Sequence, residues 1–326
     1  MANRKVPDVR SAAQRLAGKV VRTPVIRSAS LSGERGCRLW LKAENLQHTG
    51  SYKFRGAQLA VDRVAEQGRT GRVITQSSGN HGIAVAKAAR ECGLEATVVL
   101  PCDASPAKVA QIKSYGADVI QLVLSVEECR AVVAELQRSG GGEFIDVRGD
   151  TDVIAGQGTA SLELLEDVPD LDALVVPVAS GCGLAGAVLA AEAAGRTLAI
   201  YGAEPAGCGS LGSSLAAGER IQVEPRPGIA EALAAKCQGE VPFQIFKDAA
   251  DAVTVDDAAV TRAFGLALFD AKLLLEPSGA VGLAAAISPA LVGRHHDIGV
   301  ILTGGNIAPP AAAHLAQAAV GSASYG

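Results

Sequence analysis

The chain has 326 residues, of which 48% are hydrophobic and 20% are charged, and it carries a net charge of −4. This composition is typical of a folded protein with a sizeable core, and the length favours two domains over one. The charged residues form no basic cluster, which argues against nucleic acid as a partner.

The cysteines and the apolar segments predict a protein of the reducing cytoplasm. The seven cysteines are odd in number and no pair has Cys-x-x-Cys spacing, so we expect neither a disulfide framework nor a zinc site. The charged N-terminal residues lack the apolar core of a signal peptide. The most apolar region, residues 173–195, is interrupted by Pro177, four glycines and Glu192, so we expect no membrane association.

Strands and helices alternate along most of the chain, which predicts βαβ units and an α/β fold with parallel sheets. The predicted strands cover residues 38–42, 72–76, 96–100, 118–122, 143–146, 173–178, 197–203 and 297–302. The predicted helices cover residues 9–17, 54–67, 83–92, 107–115, 126–138, 159–166, 187–194, 260–272 and 280–287. We expect a small domain at residues 71–148 and a large domain made of residues 1–70 and 149–326.

The segment Ser51-Tyr52-Lys53-Phe54-Arg55-Gly56-Ala57 places one lysine between two aromatic residues. If a helix begins at Lys53, one ring lies beside the amine. Apolar neighbours lower the pKa of a lysine, and a partly neutral amine can form a Schiff base with an aldehyde. The alternative is an amphipathic lysine whose stem covers apolar surface while its ammonium reaches water.

Three loops follow strands at the edge where open α/β sheets bind ligands. The first, Ser77-Ser78-Gly79-Asn80-His81-Gly82, opens a helix. Its hydroxyls, amide and backbone N–H groups make a receptor suited to a carboxylate. The same serines are also good helix caps whatever the function, so a purely structural role is the alternative.

The second loop, Ser180-Gly181-Cys182-Gly183-Leu184-Ala185-Gly186, suits a phosphate, because glycines allow close backbone approach and a helix N-terminus favours negative charge. It lacks the Gly-Lys-Ser/Thr ending of an ATP-binding loop. Its glycines also match the Gly-x-Gly-x-x-Gly pattern, with Glu204 as the acidic partner, so a dinucleotide-dependent dehydrogenase stays an alternative.

The third loop, Thr303-Gly304-Gly305-Asn306, places a hydroxyl at the end of the last strand, although a plain glycine turn explains it equally well. A lysine able to form a Schiff base, a phosphate loop and a carboxylate loop together describe a pyridoxal phosphate site.

The sequence resembles the fold-type II pyridoxal phosphate enzymes, and within them the threonine/serine dehydratase and serine racemase group. The resemblance runs from about Thr23 to Asn306. It rests on Lys42-Ala43-Glu44-Asn45-Leu46-Gln47 leading into the Lys53 segment, residues 77–82, residues 180–186, Leu275-Glu276-Pro277-Ser278-Gly279-Ala280 and residues 303–306. It implies two open twisted parallel α/β domains with the cofactor in the cleft between them.

The resemblance implies a role for each candidate site residue. Lys53 forms an imine with pyridoxal 5′-phosphate, and Tyr52, where the family usually has Phe, packs on the cofactor ring. Asn80 hydrogen-bonds the 3′-oxygen of the ring, and Thr303 faces the pyridine nitrogen. The cofactor phosphate is held by the backbone of Gly181, Cys182, Gly183 and Leu184. The substrate carboxylate is held by Ser77, Ser78, Asn80 and His81.

The resemblance also implies a reaction. A threonine hydroxyl cannot keep the pyridine nitrogen protonated as an aspartate would, which disfavours a long-lived carbanion. We expect Lys53 to remove the Cα proton and the β-hydroxyl to leave with the cofactor phosphate as acid. A β-hydroxy amino acid such as L-threonine or L-serine would thus give a 2-oxo acid and ammonia.

Two alternatives stay open for the reaction. Ser78 can act as the acid/base of an amino-acid racemase on the face opposite Lys53. A dehydratase for a bulkier or acidic substrate, such as phenylserine or 3-hydroxyaspartate, fits the same motifs. The family implies a homodimer, and we expect residues 71–148 to close over the substrate.

The sequence departs from the family's pattern in three respects. Ser180 and Cys182 stand where relatives often have glycine. Ser210 stands where metal-binding members have a second acidic residue after Glu204, so we expect no metal. Ala232 stands where the family has glycine, and its methyl group would reshape access to the cofactor.

Overall fold

The computed structural model describes residues 6–28, 36–77, 79–102, 104–123, 126–226 and 228–322. Its strands, in chain order, are β1 (Val25–Ser28), β2 (Arg38–Lys42), β3 (Arg72–Gln76), β4 (Glu95–Pro101), β5 (Asp118–Leu122), β6 (Glu143–Phe144), β7 (Ala173–Pro177), β8 (Ala199–Pro205), β9 (Asp251–Val255) and β10 (Asp297–Ile301). They form two separate sheets.

The helices of the described residues, in chain order, are α1 (Val9–Leu16), α2 (Lys53–Gln67), α3 (Asn80–Glu91), α4 (Pro106–Ser114), α5 (Val126–Arg138), α6 (Thr151–Asp167), α7 (Cys182–Ala194), α8 (Ser210–Ala217), α9 (Glu240–Phe246), α10 (Asp257–Phe269), α11 (Pro277–Ala286) and α12 (Pro309–Ser322). No helix of these described residues is both long and apolar enough to cross a bilayer.

The larger sheet has the strand order β1-β2-β10-β7-β8-β9. Only β1 is antiparallel to its neighbour, and the other pairs are parallel. Alternate residues of β7 point to opposite faces of the sheet, as strand geometry requires. Leu174 and Val176 pack with residues of α6 and α7, whereas Ala173 and Val175 pack with residues of α11. Helices therefore cover both faces, which explains the continuous apolar run in this strand.

The smaller sheet has the order β5-β4-β3-β6, and all of its pairs are parallel. Its strands lie between Arg72 and Phe144, inside the small domain expected from the sequence. The fold class predicted from the alternation of strands and helices, an α/β fold with parallel sheets, is confirmed.

Among the helices near the site, α3 and α7 begin earlier than predicted. α3 starts at Asn80 rather than at residue 83, and α7 starts at Cys182 rather than at residue 187. Both starts lie inside runs rich in serine and glycine, which disfavour helix interiors and therefore read as loops. Gly186, predicted as part of a ligand loop, lies within α7, where an added Cβ would meet the backbone nitrogen of Gly158 in α6 at 2.6 Å.

Candidate active site

A cavity of about 470 Å³ lies at the edge where strands of both sheets end. Ser77 follows β3, Ser180 follows β7 and Thr303 follows β10, and all three residues line the cavity. Lys53, at the start of α2, lines it as well. The fold thus brings together the lysine and the three loops that the sequence pointed to separately.

Lys53 is positioned by main-chain contacts with the segment after β10. The Tyr52 N–H donates to the Thr303 carbonyl oxygen at 3.0 Å, and Ser51 pairs with Gly304 in an antiparallel bridge. The Lys53 Nζ lies 5.0 Å from the centroid of the Tyr52 ring. The prediction that one ring lies beside the amine when a helix begins at Lys53 is confirmed.

Four charged side chains beneath α2 form what we call the Arg55 cluster: Lys42, Glu44, Arg55 and Glu163. Arg55 donates to Glu44 and to Glu163, each at 2.8 Å, and Lys42 donates to Glu163 at 2.5 Å. Burial alone would raise the pKa of Glu44, but Arg55 holds it below its usual value. Because Arg55 lies in the first turn of α2, the cluster fixes the turn that begins with Lys53.

The N-terminus of α3 faces the cavity. Asn80 and His81 lie in its first turn, and no side chain within the described residues caps it. First-turn N–H groups have no partner inside the helix, so they are available to a carboxylate. Ser77 supports this turn, because its Oγ accepts from the Gly79 N–H at 3.3 Å. Ser78 lies outside the described residues, and its roles stay predictions.

The Asn80 side chain is held between Glu276, which lines the cavity, and Asn306. It donates to Glu276 at 2.5 Å and accepts from Asn306 at 2.8 Å. An amide nitrogen carries two hydrogens, so Asn80 keeps one N–H for a ligand. Glu276 is 5% exposed, and burial raises its pKa, whereas Lys108 and Asn80 act in the opposite direction.

The His81 imidazole is buried beside the cavity and stays neutral. Burial, with the positive charge of Lys53 as the second cause, lowers the pKa of His81 to about 3. The backbone of Ile145 opposes this shift without reaching hydrogen-bond geometry. Among the described residues neither ring nitrogen has a hydrogen-bond partner. A buried polar group without a partner is costly, so His81 is suited to a bound molecule.

The predicted phosphate receptor is a helix N-terminus rather than a free loop. Gly181 is the N-cap of α7 and has a φ of 93°, which favours glycine, and no side chain in the described chain caps this helix. The N–H groups of Cys182, Gly183 and Leu184 therefore have no helical partner and can receive an anion. Ser180 and Cys182 both donate to the Val147 carbonyl, at 2.9 Å and 3.2 Å.

Tyr52 connects this N-terminus to Lys53. A Cβ on Gly183 would lie 2.8 Å from the Tyr52 hydroxyl oxygen, so only glycine leaves room for the ring. Tyr52 also lines the cavity. Tyr52 therefore lies next to both the N-terminus of α7 and the Lys53 amine.

Cys182 has no role as a nucleophile in this position. Its side chain is 1% exposed, and burial raises the pKa of the thiol to about 12. A thiol with this pKa stays protonated at physiological pH, and the thiolate is the reactive form. The structure describes all seven cysteines, and none of them forms a disulfide bond.

Glu204 accepts hydrogen bonds from the N-terminus of α8. Its two carboxylate oxygens accept from the N–H groups of Leu211 and Gly212, each at 2.9 Å. Ser210, at the position of a second acidic ligand in metal-binding relatives, donates to the Ala235 carbonyl at 3.2 Å. Within the described residues, no group of three or more His, Cys, Asp or Glu side chains has the arrangement of a metal site.

Four charged residues without a predicted role also line the cavity: Lys108, Arg148, Glu231 and Glu276. Arg148 lies a few residues after β6. Because ligands of open α/β sheets bind beyond the carboxyl ends of the strands, this position also points to Arg148 as a site residue. Glu276 stands in a motif that carries the family resemblance. Ala232 lines the cavity too, at the position where the family has glycine.

These features fit the cofactor that the resemblance implies. Lys53 supplies an amine for an aldehyde, and the uncapped N-terminus of α7 supplies a receptor for a phosphate. Gly183 has no side chain that would fill the space beside the Tyr52 ring. Ser51 and His81 carry buried polar atoms without a partner in the described chain.

Comparison with known proteins agrees with this geometry. A model of the family described as pyridoxal-phosphate dependent enzyme matches residues 16–304. An L-threo-3-hydroxyaspartate ammonia-lyase from Pseudomonas sp is 38% identical over 92% of this chain and 94% of that protein. A serine racemase from Oryza sativa subsp. indica is 36% identical over 93% of this chain and 91% of that protein.

The solved structure of maize serine racemase has a TM-score of 0.91 and 35% identity, covering 97% of this chain and 98% of that chain. The predicted fold type II and the predicted cofactor, pyridoxal 5′-phosphate, are confirmed, and the dinucleotide alternative is set aside. The chain belongs to the family of pyridoxal-phosphate-dependent enzymes.

Proposed function

We propose that this chain catalyses β-elimination of a β-hydroxy amino acid, such as L-serine or L-threonine, to a 2-oxo acid and ammonia. The observation that carries the proposal is the position of Lys53, which lines one cavity together with the first turn of α3 and with Ser180, just before the N-terminus of α7. One uncapped N-terminus suits an amino-acid carboxylate, and the other suits a phosphate. The similarity to a hydroxyaspartate ammonia-lyase supports elimination as the reaction.

We assign the predicted residues to the cofactor as follows. Lys53 would bind the aldehyde, and Tyr52 would pack on the ring. Asn80 would donate its remaining N–H to the 3′-oxygen, and Thr303 would face the pyridine nitrogen. The N–H groups of Gly181, Cys182, Gly183 and Leu184 would hold the phosphate. When bound, the cofactor supplies an electron-accepting ring for the electron pair left on the substrate's Cα.

The substrate's carboxylate would lie at the N-terminus of α3, where Ser77, Asn80 and His81 meet. This contact would orient the Cα–H bond toward Lys53. The Lys53 Nζ, released when the substrate's amino group takes its place on the cofactor, would then take the Cα proton, and the β-hydroxyl would accept a proton from the cofactor phosphate and leave as water. The unsaturated amine that results takes up water and releases ammonia, so serine is converted to pyruvate and ammonia.

We propose a two-domain organisation in which residues 71–148 form a small domain that closes over the substrate, while residues 1–70 and 149–326 form the large one. The cavity is lined from both sheets, which supports a closing movement around the ligand. We further propose that the enzyme is a cytoplasmic homodimer.

Release of 2-oxo acid and ammonia from L-serine and L-threonine tests the proposed reaction. We expect equal amounts of the two products from a protein purified with its cofactor. If the protein turns over neither of these substrates and no other β-hydroxy amino acid, the proposal is contradicted.

Racemisation is a second candidate, favoured by the similarity to serine racemases. It would need an acid/base on the side of Cα opposite Lys53, and Ser78 is the residue proposed for that role. Chiral analysis after incubation with L-serine separates the two reactions. Pyruvate without D-serine supports elimination, and D-serine without pyruvate supports racemisation.

A further inference from the structure

Arg148 is a half-buried arginine that lines the cavity, and no carboxylate of the described residues pairs with its guanidinium. It follows β6 and lines the cavity together with Lys53 and Thr303. One of its side-chain N–H groups donates to the Cys237 carbonyl at 3.2 Å. Within the residues that the structure describes, it forms no ion pair.

The two buried arginines of the described residues, Arg55 and Arg63, are both paired with carboxylates. Arg55 is met by Glu44 and Glu163. Arg63 is met by Asp150 at 2.8 Å and by Asp152 at 2.6 Å. A guanidinium carries five N–H donors and no acceptor, so a partly buried one needs anionic or carbonyl oxygens around it. Arg148 lines a ligand cavity, and within the described residues its side chain donates to one carbonyl oxygen, that of Cys237.

The surroundings of Arg148 are short of negative charge. Burial lowers the pKa of its guanidinium, and the positive charges of Arg130 and Arg220 lower it further. Asp146 acts in the opposite direction, and it also accepts from the Arg148 backbone N–H at 3.0 Å. An anion placed beside Arg148 would therefore relieve both desolvation and like-charge repulsion.

The anions of the proposed reaction already have other receptors. The substrate's α-carboxylate is assigned to the N-terminus of α3, and the cofactor phosphate to the N-terminus of α7. We infer that Arg148 receives a second carboxylate, carried by the substrate's β-carbon. This inference rests on the proposed elimination. It predicts that the preferred substrate is an acidic β-hydroxy amino acid of the 3-hydroxyaspartate type rather than serine or threonine.

The cofactor phosphate is the competing occupant of Arg148. Val147 precedes Arg148, and its carbonyl accepts from Ser180 and Cys182, next to the phosphate receptor. Guanidinium groups bind carboxylates and phosphates in the same forked geometry, so contact chemistry alone does not separate them. If Arg148 binds the substrate's second carboxylate, an Arg148 variant loses affinity for acidic ligands. If it binds the phosphate, the variant loses affinity for the cofactor.

Binding of L-aspartate and L-asparagine to the holoenzyme tests the inference directly. The two amino acids have nearly the same shape, differ in side-chain charge and lack a β-hydroxyl, so binding is measured through the visible absorbance of the cofactor. We expect aspartate to bind on the order of tenfold to hundredfold more tightly, the range of a charge-assisted hydrogen bond. Arg148→Gln should reduce this ratio to about one, and Arg148→Lys should restore part of it.

A matched control removes a positive charge elsewhere. Arg262 lies in a separate groove between α10 and α11, away from the cavity residues. Arg262→Gln should leave the aspartate-to-asparagine ratio unchanged. A ratio near one in the unmodified protein, or an equal loss in the Arg148 and Arg262 variants, would overturn the inference.

Turnover and cofactor affinity complete the test. We expect kcat/KM for 3-hydroxy-L-aspartate to exceed that for L-serine, and Arg148→Gln to lower only the former. If Arg148→Gln instead weakens pyridoxal 5′-phosphate binding and leaves the aspartate ratio intact, Arg148 serves the phosphate and the inference is wrong. If no β-hydroxy amino acid is turned over, the proposed reaction fails, while the binding ratio still reports on Arg148 by itself.

Discussion

Two groups of charged residues lie close to Lys53, and they differ in how completely their charges are paired. The Arg55 cluster is buried beneath α2, and each of its four members has an opposite charge in direct contact. The cavity group consists of Lys108, Arg148, Glu231 and Glu276. Its members lie around open space, and Arg148 donates to a backbone carbonyl instead of a carboxylate.

This difference separates charged residues that stabilise the fold from charged residues that are available to bind a ligand. A buried and fully paired cluster has no unsatisfied group to offer a ligand, and loss of one member leaves an uncompensated charge. Charged groups that line a cavity without full pairing keep donors and acceptors for a bound molecule. Lys53 lies between the two groups. Arg55 holds the helical turn that begins with Lys53, and the Lys53 side chain lines the cavity.

The largest effect is expected from Lys53→Ala, which removes the residue that joins the two groups. The amine is the proposed site of covalent attachment and the proposed base. We expect loss of the cofactor's visible absorbance and a fall in kcat of about 10³-fold or more. Lys113→Ala, in the exposed part of α4, is the control that should keep both properties. Normal absorbance and turnover in the Lys53 variant would disprove its assignment.

Breaking the Arg55 cluster should give the next largest effect. Arg55→Met leaves Glu44 and Glu163 with one fewer buried counter-charge, which should lower the free energy of unfolding by about 3–5 kcal/mol. Arg15→Met breaks the exposed ion pair with Glu66 and should cost no more than about 1 kcal/mol. Urea unfolding of the holoprotein measures both values. An equal loss of unfolding free energy in the two variants would show that the buried cluster does not hold α2 in place.

Glu276→Gln tests the cavity group through the pH dependence of stability. Burial raises the native pKa of Glu276 above its ordinary value of 4.5, so the native state keeps this proton where the unfolded state has lost it. Wild-type stability should therefore fall as pH rises from 4.5 to the raised pKa. The glutamine variant, which can still accept from Asn80, should lack this fall. Parallel stability curves for the two proteins would contradict a raised pKa.

The smallest effect is expected from Tyr52→Phe, which removes one hydroxyl beside Gly183. Since this hydroxyl lies at the proposed phosphate receptor, its loss should weaken cofactor binding about twofold to tenfold, the range of one net hydrogen bond. Fluorescence titration of the apoprotein with pyridoxal 5′-phosphate measures the change. Unaltered affinity would show that Tyr52 contributes only through its ring.

Much of the fold was predictable, because short apolar strands such as Arg72–Gln76 and Arg38–Lys42 are bounded by clear turn residues. The starts of α3 and α7 were missed because Gly79 and Gly181, which read as loop residues, act as N-caps. The strand-end rule and the motifs could have pointed to Arg148 and Glu276, but their pairing could not be predicted, since it depends on which groups approach from distant parts of the chain. The sequence shows that Arg55 and Arg148 are both arginines, but only the fold shows that one is paired.

Reduction of the holoenzyme with borohydride, followed by peptide mapping, tests the central claim most directly. Reduction makes the link between the cofactor and its lysine permanent, so the modified residue can be identified by mass. Lys42 is buried in the Arg55 cluster, and Lys108 lines the cavity, so both serve as internal comparisons. The account predicts a single pyridoxyl group on Lys53. A pyridoxyl group on Lys108 or Lys42, or a holoenzyme that carries none, would contradict it.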